Sequence, residues 1–347
     1  MTSDIPDVLV LGAGVIGLTT AVRSAEAGYH TRVLSRDPIT QTASAAAGAF
    51  WGPFLSRHRR TAQWSLETLA VLRTEAGRLG SGVTLVRGLE AARVPMPIPY
   101  WTATIEDCRL SPPESLPPGF ATGWRYTVPV IDMPRYLQRL ADRLDELGVR
   151  IERGAVASLA DPALRAGVIV NCTGSGAREL VPDPDVQPVR GQLVIVQNPG
   201  IVDFFADYDE HTAEPTYILP QGDRAILGGS VEPDNSDPRV DPHIARGILE
   251  RCSEVQPALE GVRVLGHRVG FRPGRTQIRL EAAKAGAHRV IHNYGHGGSG
   301  VSVCWGCASY VRTLLDELLG GGADAPPPQA AHDDAHTQQP TAKRSGQ

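Results

Sequence analysis

Val8-Leu9-Val10-Leu11-Gly12-Ala13-Gly14-Val15-Ile16-Gly17-Leu18 reads as a buried strand, a glycine turn and the start of a helix. The run 8–11 is continuously apolar, residues 15–27 carry helical spacing, Gly28 closes the helix, and 31–34 return as a strand. A unit of this length suits a parallel strand–helix–strand crossover. Gly12, Gly14 and Gly17 therefore form G-x-G-x-x-G in the context that makes the motif informative. The first glycine allows the tight turn, the second lets a pyrophosphate approach the backbone, and the third permits close helix–strand packing. Free N–H groups and the helix dipole attract the phosphates. The motif does not separate NAD, NADP and FAD: Arg36 could meet a 2′-phosphate, whereas Asp37 could hold an adenosine ribose.

Working outward, a helix is expected over 134–147, with Pro134 in its first turn and Gly148 past its end, and a strand over 149–152. Val168-Ile169-Val170 stops at Asn171-Cys172-Thr173-Gly174, the pattern of a strand ending at a ligand-facing turn. From 190 to 295, short apolar runs alternate with turn residues, which predicts antiparallel strands and one helix over 243–255. His292-Asn293-Tyr294-Gly295-His296-Gly297-Gly298-Ser299-Gly300 is a second glycine-rich helix start, opening a helix over 301–319. A nicotinamide dehydrogenase does not need it. A flavin does, because its reduced ring carries negative charge that a helix N-terminus stabilises.

The 347-residue chain is 41% hydrophobic and 21% charged, enough for a packed core. Its net charge of −4 is spread without a basic block, which argues against nucleic acid as a partner. No run reaches the roughly 20 apolar residues of a membrane helix. Asp4 and Asp7 stand where a signal peptide would be basic, so the expected location is the cytoplasm. Five scattered cysteines argue for reduced thiols, and the lone C-x-x-C of Cys304 and Cys307 lies in an apolar helical run that favours packing. No carboxylate or cysteine stands at ligand spacing from the histidines of 292–300, so no metal is expected. The Pro, Ala, His and Gln tail at 323–347 lacks apolar periodicity and is expected to be disordered.

Over about residues 7–319 the chain resembles the D-amino acid oxidase family. The resemblance rests on V-L-V-L-G-A-G-V-I-G-L at 8–18, A-A-G-A-F-W-G-P at 46–53, V-I-V-N-C-T-G at 168–174 and R-G-Q at 190–192. It continues with Y-I-L-P at 217–220, G-F-R-P-G-R-T-Q-I-R-L-E at 270–281 and H-N-Y-G-H-G-G-S-G at 292–300. It implies an α/β fold in which a Rossmann-like FAD-binding domain with a parallel sheet is interleaved with a mainly antiparallel α+β substrate domain. The FAD-binding domain is expected from 1–56, 141–190 and 289–322, and the substrate domain from 57–140 and 191–288.

The resemblance also implies noncovalent FAD. Gly12, Ala13, Gly14, Val15, Ile16 and Gly17 would cradle its pyrophosphate, with Arg36 and Asp37 near the adenosine and Thr42, Ser44, Ala47 and Gly48 along the cofactor. Val156 and Thr173 would lie beside the adenine half, and Gly297, Gly300, Val301 and Ser302 at the flavin end. Ser44 and Ser302 equally suit helix caps. Arg279 matches the family's carboxylate-binding arginine and Tyr217 the tyrosine that supports it, while Gly298 would offer its carbonyl to the substrate amine. Phe50 and Leu219 would face the substrate side chain. Arg272 and Arg275 are nearby competitors: in a strand over 271–279, alternation puts Arg275 and Arg279 on one face and Arg272 on the other. Between Arg275 and Arg279 the sequence does not choose.

The implied activity is oxidative deamination of neutral D-amino acids with dioxygen, giving a 2-oxo acid, ammonia and hydrogen peroxide by hydride transfer to FAD. No side-chain base is required. D-Aspartate oxidases, to which the chain is also similar, carry an arginine after an L-G-G-T type turn, where Leu227-Gly228-Gly229-Ser230 is followed here by Val231. The segment 202–216 holds Asp203, Asp207, Asp209, Glu210 and Glu214 but no Lys or Arg, leaving Arg275 and His211 as the cations within reach. Ala213 stands at the family's lid-tyrosine position and Ser299 at another tyrosine position, so the expected lid is short. Competing readings are a glycine or D-aspartate oxidase, an NADP-dependent dehydrogenase suggested by Arg36, and a non-catalytic flavin-binding protein. The partners expected are a small D-amino acid and dioxygen, with a homodimer left open.

Overall fold

A computed structural model describes residues 5–52, 57–208 and 214–320. Val8–Leu11 and Val168–Asn171 are buried at every position, the state of strands covered on both faces. They sit at the centre of a six-stranded sheet ordered Arg279–Ala285, His288–Tyr294, Val168–Asn171, Val8–Leu11, Thr31–Ser35, Ile151–Arg153. The last five run parallel, and Arg279–Ala285 is added as an antiparallel hairpin strand. Helix Val15–Glu26 packs against Gly300–Gly320 and Met133–Glu146, and Thr61–Ala76 packs against Gly300–Gly320. Cys304 and Cys307 are buried free thiols within that last helix. Among the described residues, no helix is long and apolar enough to cross a membrane.

The second sheet has nine strands. Its path runs Val264–Gly274, Gln187–Gln197, Arg224–Gly228, Tyr217–Gln221, Phe204–Asp207, Val83–Ala92, Thr122–Ile131 and Ala49–Phe50, with Arg109–Leu110 beside Thr122–Ile131. Pairing is antiparallel except between Phe204–Asp207 and Val83–Ala92. Helix Pro242–Val255 covers it, begun by Asp241, whose carboxylate accepts from the N–H groups of His243 and Ile244. The expected mixed α/β class is thus the class observed.

The chain crosses between the sheets at places that differ from the expected divisions. Arg279–Ala285 pairs in register with His288–Tyr294, so both strands of that hairpin lie in the first sheet rather than being divided at 288. Thr61–Ala76, expected with the second unit, packs on the terminal helix of the first. The tail 323–347 and the lid positions Asp209, Glu210, His211 and Ala213 lie outside the described residues.

Candidate active site

A cavity of about 1170 Å³ is lined by elements of both sheets. The glycine turn is part of its wall. Gly12 has φ +104°, and a Cβ added there would lie 2.5 Å from the Cys172 carbonyl oxygen, so only glycine permits this close approach. Gly14 is the N-cap of Val15–Glu26 with no side-chain cap of its own. Ser44 supplies one instead: its Oγ accepts from the Val15 N–H at 3.0 Å across the cavity floor. Ala13, Val15, Ile16, Arg36, Asp37, Thr42, Ala47, Gly48, Val156 and Thr173 line the same elongated space. Arg36 and Asp37 pair with each other at 3.0 Å. Gly17 does not line it. A side chain there would run into the Gly12 carbonyl, so this glycine serves packing.

Asn293, Tyr294, His296, Gly297, Gly298, Gly300 and Val301 from the second glycine-rich turn, and Gly191, Gln192, Tyr217, Arg268, Arg272 and Pro273 from the second sheet, also line the cavity. Ser302, expected beside the cofactor, is not in this wall: its Oγ accepts from the Gly52 N–H at 3.1 Å and ties the terminal helix to the chain after Ala49–Phe50. The Tyr217 ring lies over Gly228 and Gly229, where any side chain on Gly228 would strike it. Burial holds the Tyr217 hydroxyl above its ordinary pKa, partly offset by Arg272, so it remains a proton donor at neutral pH. Arg272 Nη1 donates to the carbonyls of Ser230 at 3.1 Å and Arg190 at 3.4 Å. Its guanidinium lies flat over Gly191, where an added Cβ would be 2.7 Å from Cζ and Nη2.

This arrangement corrects the expected arginine. Strand Val264–Gly274 ends at Gly274 and a new strand begins at Arg279, so 271–279 is not one alternating strand. Arg272 points into the cavity. Arg279 donates to the Tyr294 hydroxyl at 2.8 Å and Glu281 at 2.7 Å and lies 3.6 Å from Asp183, behind the cavity wall. Arg275 is bound to Asp183 at 3.1 Å. Burial alone would raise the Asp183 pKa, but the Tyr294 hydroxyl and Arg275 hold it below the carboxylate range. Burial and the Asp183 hydrogen bond push Tyr294 up to about 12.

Two expected side-chain contacts are also displaced. Leu219 shares a strand face with Tyr217 but is fully buried in the core beyond the cavity. Phe50 turns away and stacks on Phe204 at 5.6 Å between ring centroids. Sequence reading passed over Arg268 and Gln192. The R-G-Q motif at 190–192 was the available signal for Gln192.

The residues present fit a dinucleotide with a flavin. Gly12 and Gly14 bring bare backbone to the cavity at the N-terminus of Val15–Glu26, where Gly14 has no side-chain cap of its own. Asn293 Oδ1, His296 Nε2 and Arg268 Nη1 are buried polar atoms of cavity-lining residues without a partner among the described residues. Such atoms are costly unless a ligand or water meets them. Burial lowers the His296 pKa to about 3 and the His292 pKa to about 4, so both rings are neutral at pH 7.

A sequence model of the family described as FAD dependent oxidoreductase matches residues 7–314. The chain is 42% identical over 314 residues to a D-amino-acid oxidase from Rubrobacter xylanophilus, covering 90% of this chain and 96% of that protein. It is 44% identical over 312 residues to a D-amino-acid oxidase from Streptomyces coelicolor, covering 89% and 96%. In fold it is similar to glycine oxidase from Geobacillus kaustophilus, with TM-score 0.76 at 18% identity over 90% of this chain and 95% of that one. It is also similar to L-proline dehydrogenase from P. horikoshii, with TM-score 0.75 at 14% identity over 90% and 93%.

Proposed function

The chain belongs to the family of FAD-dependent oxidoreductases, and from that premise we propose that it is a D-amino acid oxidase acting on neutral D-amino acids with noncovalently held FAD. The observation that carries this reading is one cavity lined both by the glycine turn of Gly12 and Gly14 and by Arg272 and Tyr217. When bound, FAD supplies two-electron oxidation at the substrate α-carbon and return of the electrons to dioxygen; the imino acid hydrolyses to a 2-oxo acid and ammonia.

The chain's own residues bind and orient. Arg272 spends Nη1 on two backbone carbonyls and presents the rest of its planar fork to the substrate carboxylate. Tyr217, kept protonated, donates to the same carboxylate, and the Gly298 carbonyl accepts from the amine. Among the described residues, the carboxylate side chains in the lining are Asp37 and Glu179, which follow strands Thr31–Ser35 and Val168–Asn171. Among the described lining residues no carboxylate stands beside Tyr217, and the His296 ring, with its pKa lowered to about 3, is a poor base, which suits departure of the α-hydrogen as hydride.

One cation matches one carboxylate. Arg268, the next cation on this strand face, is four residues away, about 13 Å along an extended strand. A second substrate carboxylate would be left unpaired at a cost of several kcal/mol. Anaerobic mixing with D- and L-alanine tests the reaction: flavin absorbance is expected to bleach with the D-isomer alone, and L-selective bleaching overturns it. Acid precipitation is expected to release the flavin into the supernatant. Under air, kcat/KM for D-valine, D-methionine and D-phenylalanine is expected to exceed that for D-aspartate, and D-aspartate as the best of the four rejects the neutral pocket.

A further inference from the structure

Arg190 is 1% exposed and stands outside the cavity lining. A guanidinium so deeply buried requires dense pairing. Its Nε donates to the Asp237 carbonyl at 2.7 Å, Nη1 to Glu232 Oε1 at 2.5 Å, and Nη2 to Gln192 Oε1 at 3.0 Å and the Arg239 carbonyl at 2.6 Å. Asp237 and Arg239 flank Pro238, a residue of the cavity rim. Glu232 Oε1 also accepts from Ser230 Oγ at 2.6 Å, and that hydroxyl accepts from the Gln192 N–H at 3.0 Å. The backbones of Arg190 and Glu232 exchange two further hydrogen bonds, of 3.0 and 2.9 Å. Every member of this knot is thereby fixed relative to the others.

The knot reaches the active site through Gln192 and Pro238, which line the cavity, and through the partners of Arg272. The two carbonyls that receive Arg272 Nη1 are those of Ser230 and Arg190, both members of it. We propose that Arg190 and Glu232 are positioning residues: through the Ser230 and Arg190 carbonyls they set the angle at which Arg272 offers its fork to the substrate carboxylate. Through the carbonyls around Pro238 they fix the neighbouring rim in the same frame. The assignment rests on the reading of Arg272 as the carboxylate-binding residue. Paired hydrogen bonds to a planar carboxylate tolerate little rotation, so a device that fixes the guanidinium plane has a direct effect on recognition.

The test uses the holoenzyme and two variants, Glu232→Gln, which removes the charge at constant shape, and Ser230→Ala, which removes only the hydroxyl link. Benzoate, a carboxylate without an amine, is titrated against the flavin spectrum, and D-alanine kinetics, FAD content and Tm are measured beside it. Benzoate Kd and D-alanine KM are expected to rise together by about tenfold to a hundredfold in Glu232→Gln, the range for a small misplacement of a binding group. The kcat should stay within about twofold, as for loss of uniform binding, with FAD content retained. A fall in Tm with unchanged Kd and KM means a structural role only and overturns the proposal. If Glu232→Gln does not fold, Ser230→Ala decides by the same readouts. Arg272→Ala separates the two levels: if it leaves benzoate binding intact, the carboxylate reading fails and takes this assignment with it. If it abolishes binding while Glu232→Gln and Ser230→Ala are silent, only the positioning role falls.

Discussion

At the residue scale, Arg272 and Arg279 carry the same charge and sit on successive strands, yet their partners assign them different work. Arg279 is held by Glu281, the Tyr294 hydroxyl and Asp183, whereas the hydrogen bonds of Arg272 among the described residues go to two backbone carbonyls. Arg272→Ala is expected to raise KM for D-alanine by the equivalent of about 2 to 5 kcal/mol, the loss typical of a charge-assisted carboxylate contact. Tyr217→Phe should lose about 1 kcal/mol, as for one neutral hydrogen bond. Arg279→Ala should leave KM near wild type and instead lower the unfolding free energy obtained from urea titration by about 1 to 2 kcal/mol. A crippled Arg279→Ala beside a silent Arg272→Ala would reverse the assignment. The sequence displayed the right residue types in the right order, but not their register. Arg272, Arg275 and Arg279 lie within eight positions, and alternation fails because the strand stops at Gly274.

Elements were legible where local chemistry alone specifies them. The Val8–Leu11 run, the glycine turn and helix Val15–Glu26 follow from apolar periodicity and positive-φ glycine, and Met133–Glu146 from its first-turn proline. Between 57 and 133 the sequence yielded no elements. Val83–Ala92 is buried at five consecutive positions at its end rather than alternately, because Leu89 and Ala91 pack into one hydrophobic cluster while Glu90, between them, is buried by hydrogen bonds from Trp124 and Tyr126. Thr61–Ala76 buries Ser65 and Thr68 beside Trp64 and Leu69, so its inner face is not an apolar stripe. The glycine turn supports a sharper test at this scale. Gly12→Ala combines a strained φ with contact against Cys172, and should yield colourless protein that regains no flavin absorbance on adding FAD. Gly28→Ala, with φ +91° but nothing within 4 Å, should keep the flavin and lose only about 1 kcal/mol of stability. Equal flavin content in the two variants would argue that the turn does not cradle the cofactor.

For the whole molecule, the price of joining two sheets around one cavity is a set of polar groups buried at the seam, and two of them titrate within a useful range. His292 and His296 are 4% and 2% exposed, with pKa lowered from 6.5 to about 4 and about 3; burial is the main cause, aided by Arg279 for His292 and His58 for His296. Both are bases with a folded pKa below the unfolded one. Between those values the unfolded chain binds more protons than the folded chain, so stability is complete above about pH 6.5 and falls as the pH drops. At pH 5 each histidine costs about 2 kcal/mol relative to pH 8, a large part of the roughly 5 to 15 kcal/mol that holds a domain folded. Asp183 does not act in this window, because a carboxylate with a lowered pKa releases its contribution only below its ordinary 3.8. Urea unfolding at saturating FAD should therefore show a midpoint that declines steadily from pH 7 to pH 5. His296→Asn removes one titrating group and should shrink that decline by about half, even if its stability at pH 8 is lower. An unchanged slope in His296→Asn would mean that this ring is not buried neutral in the folded protein.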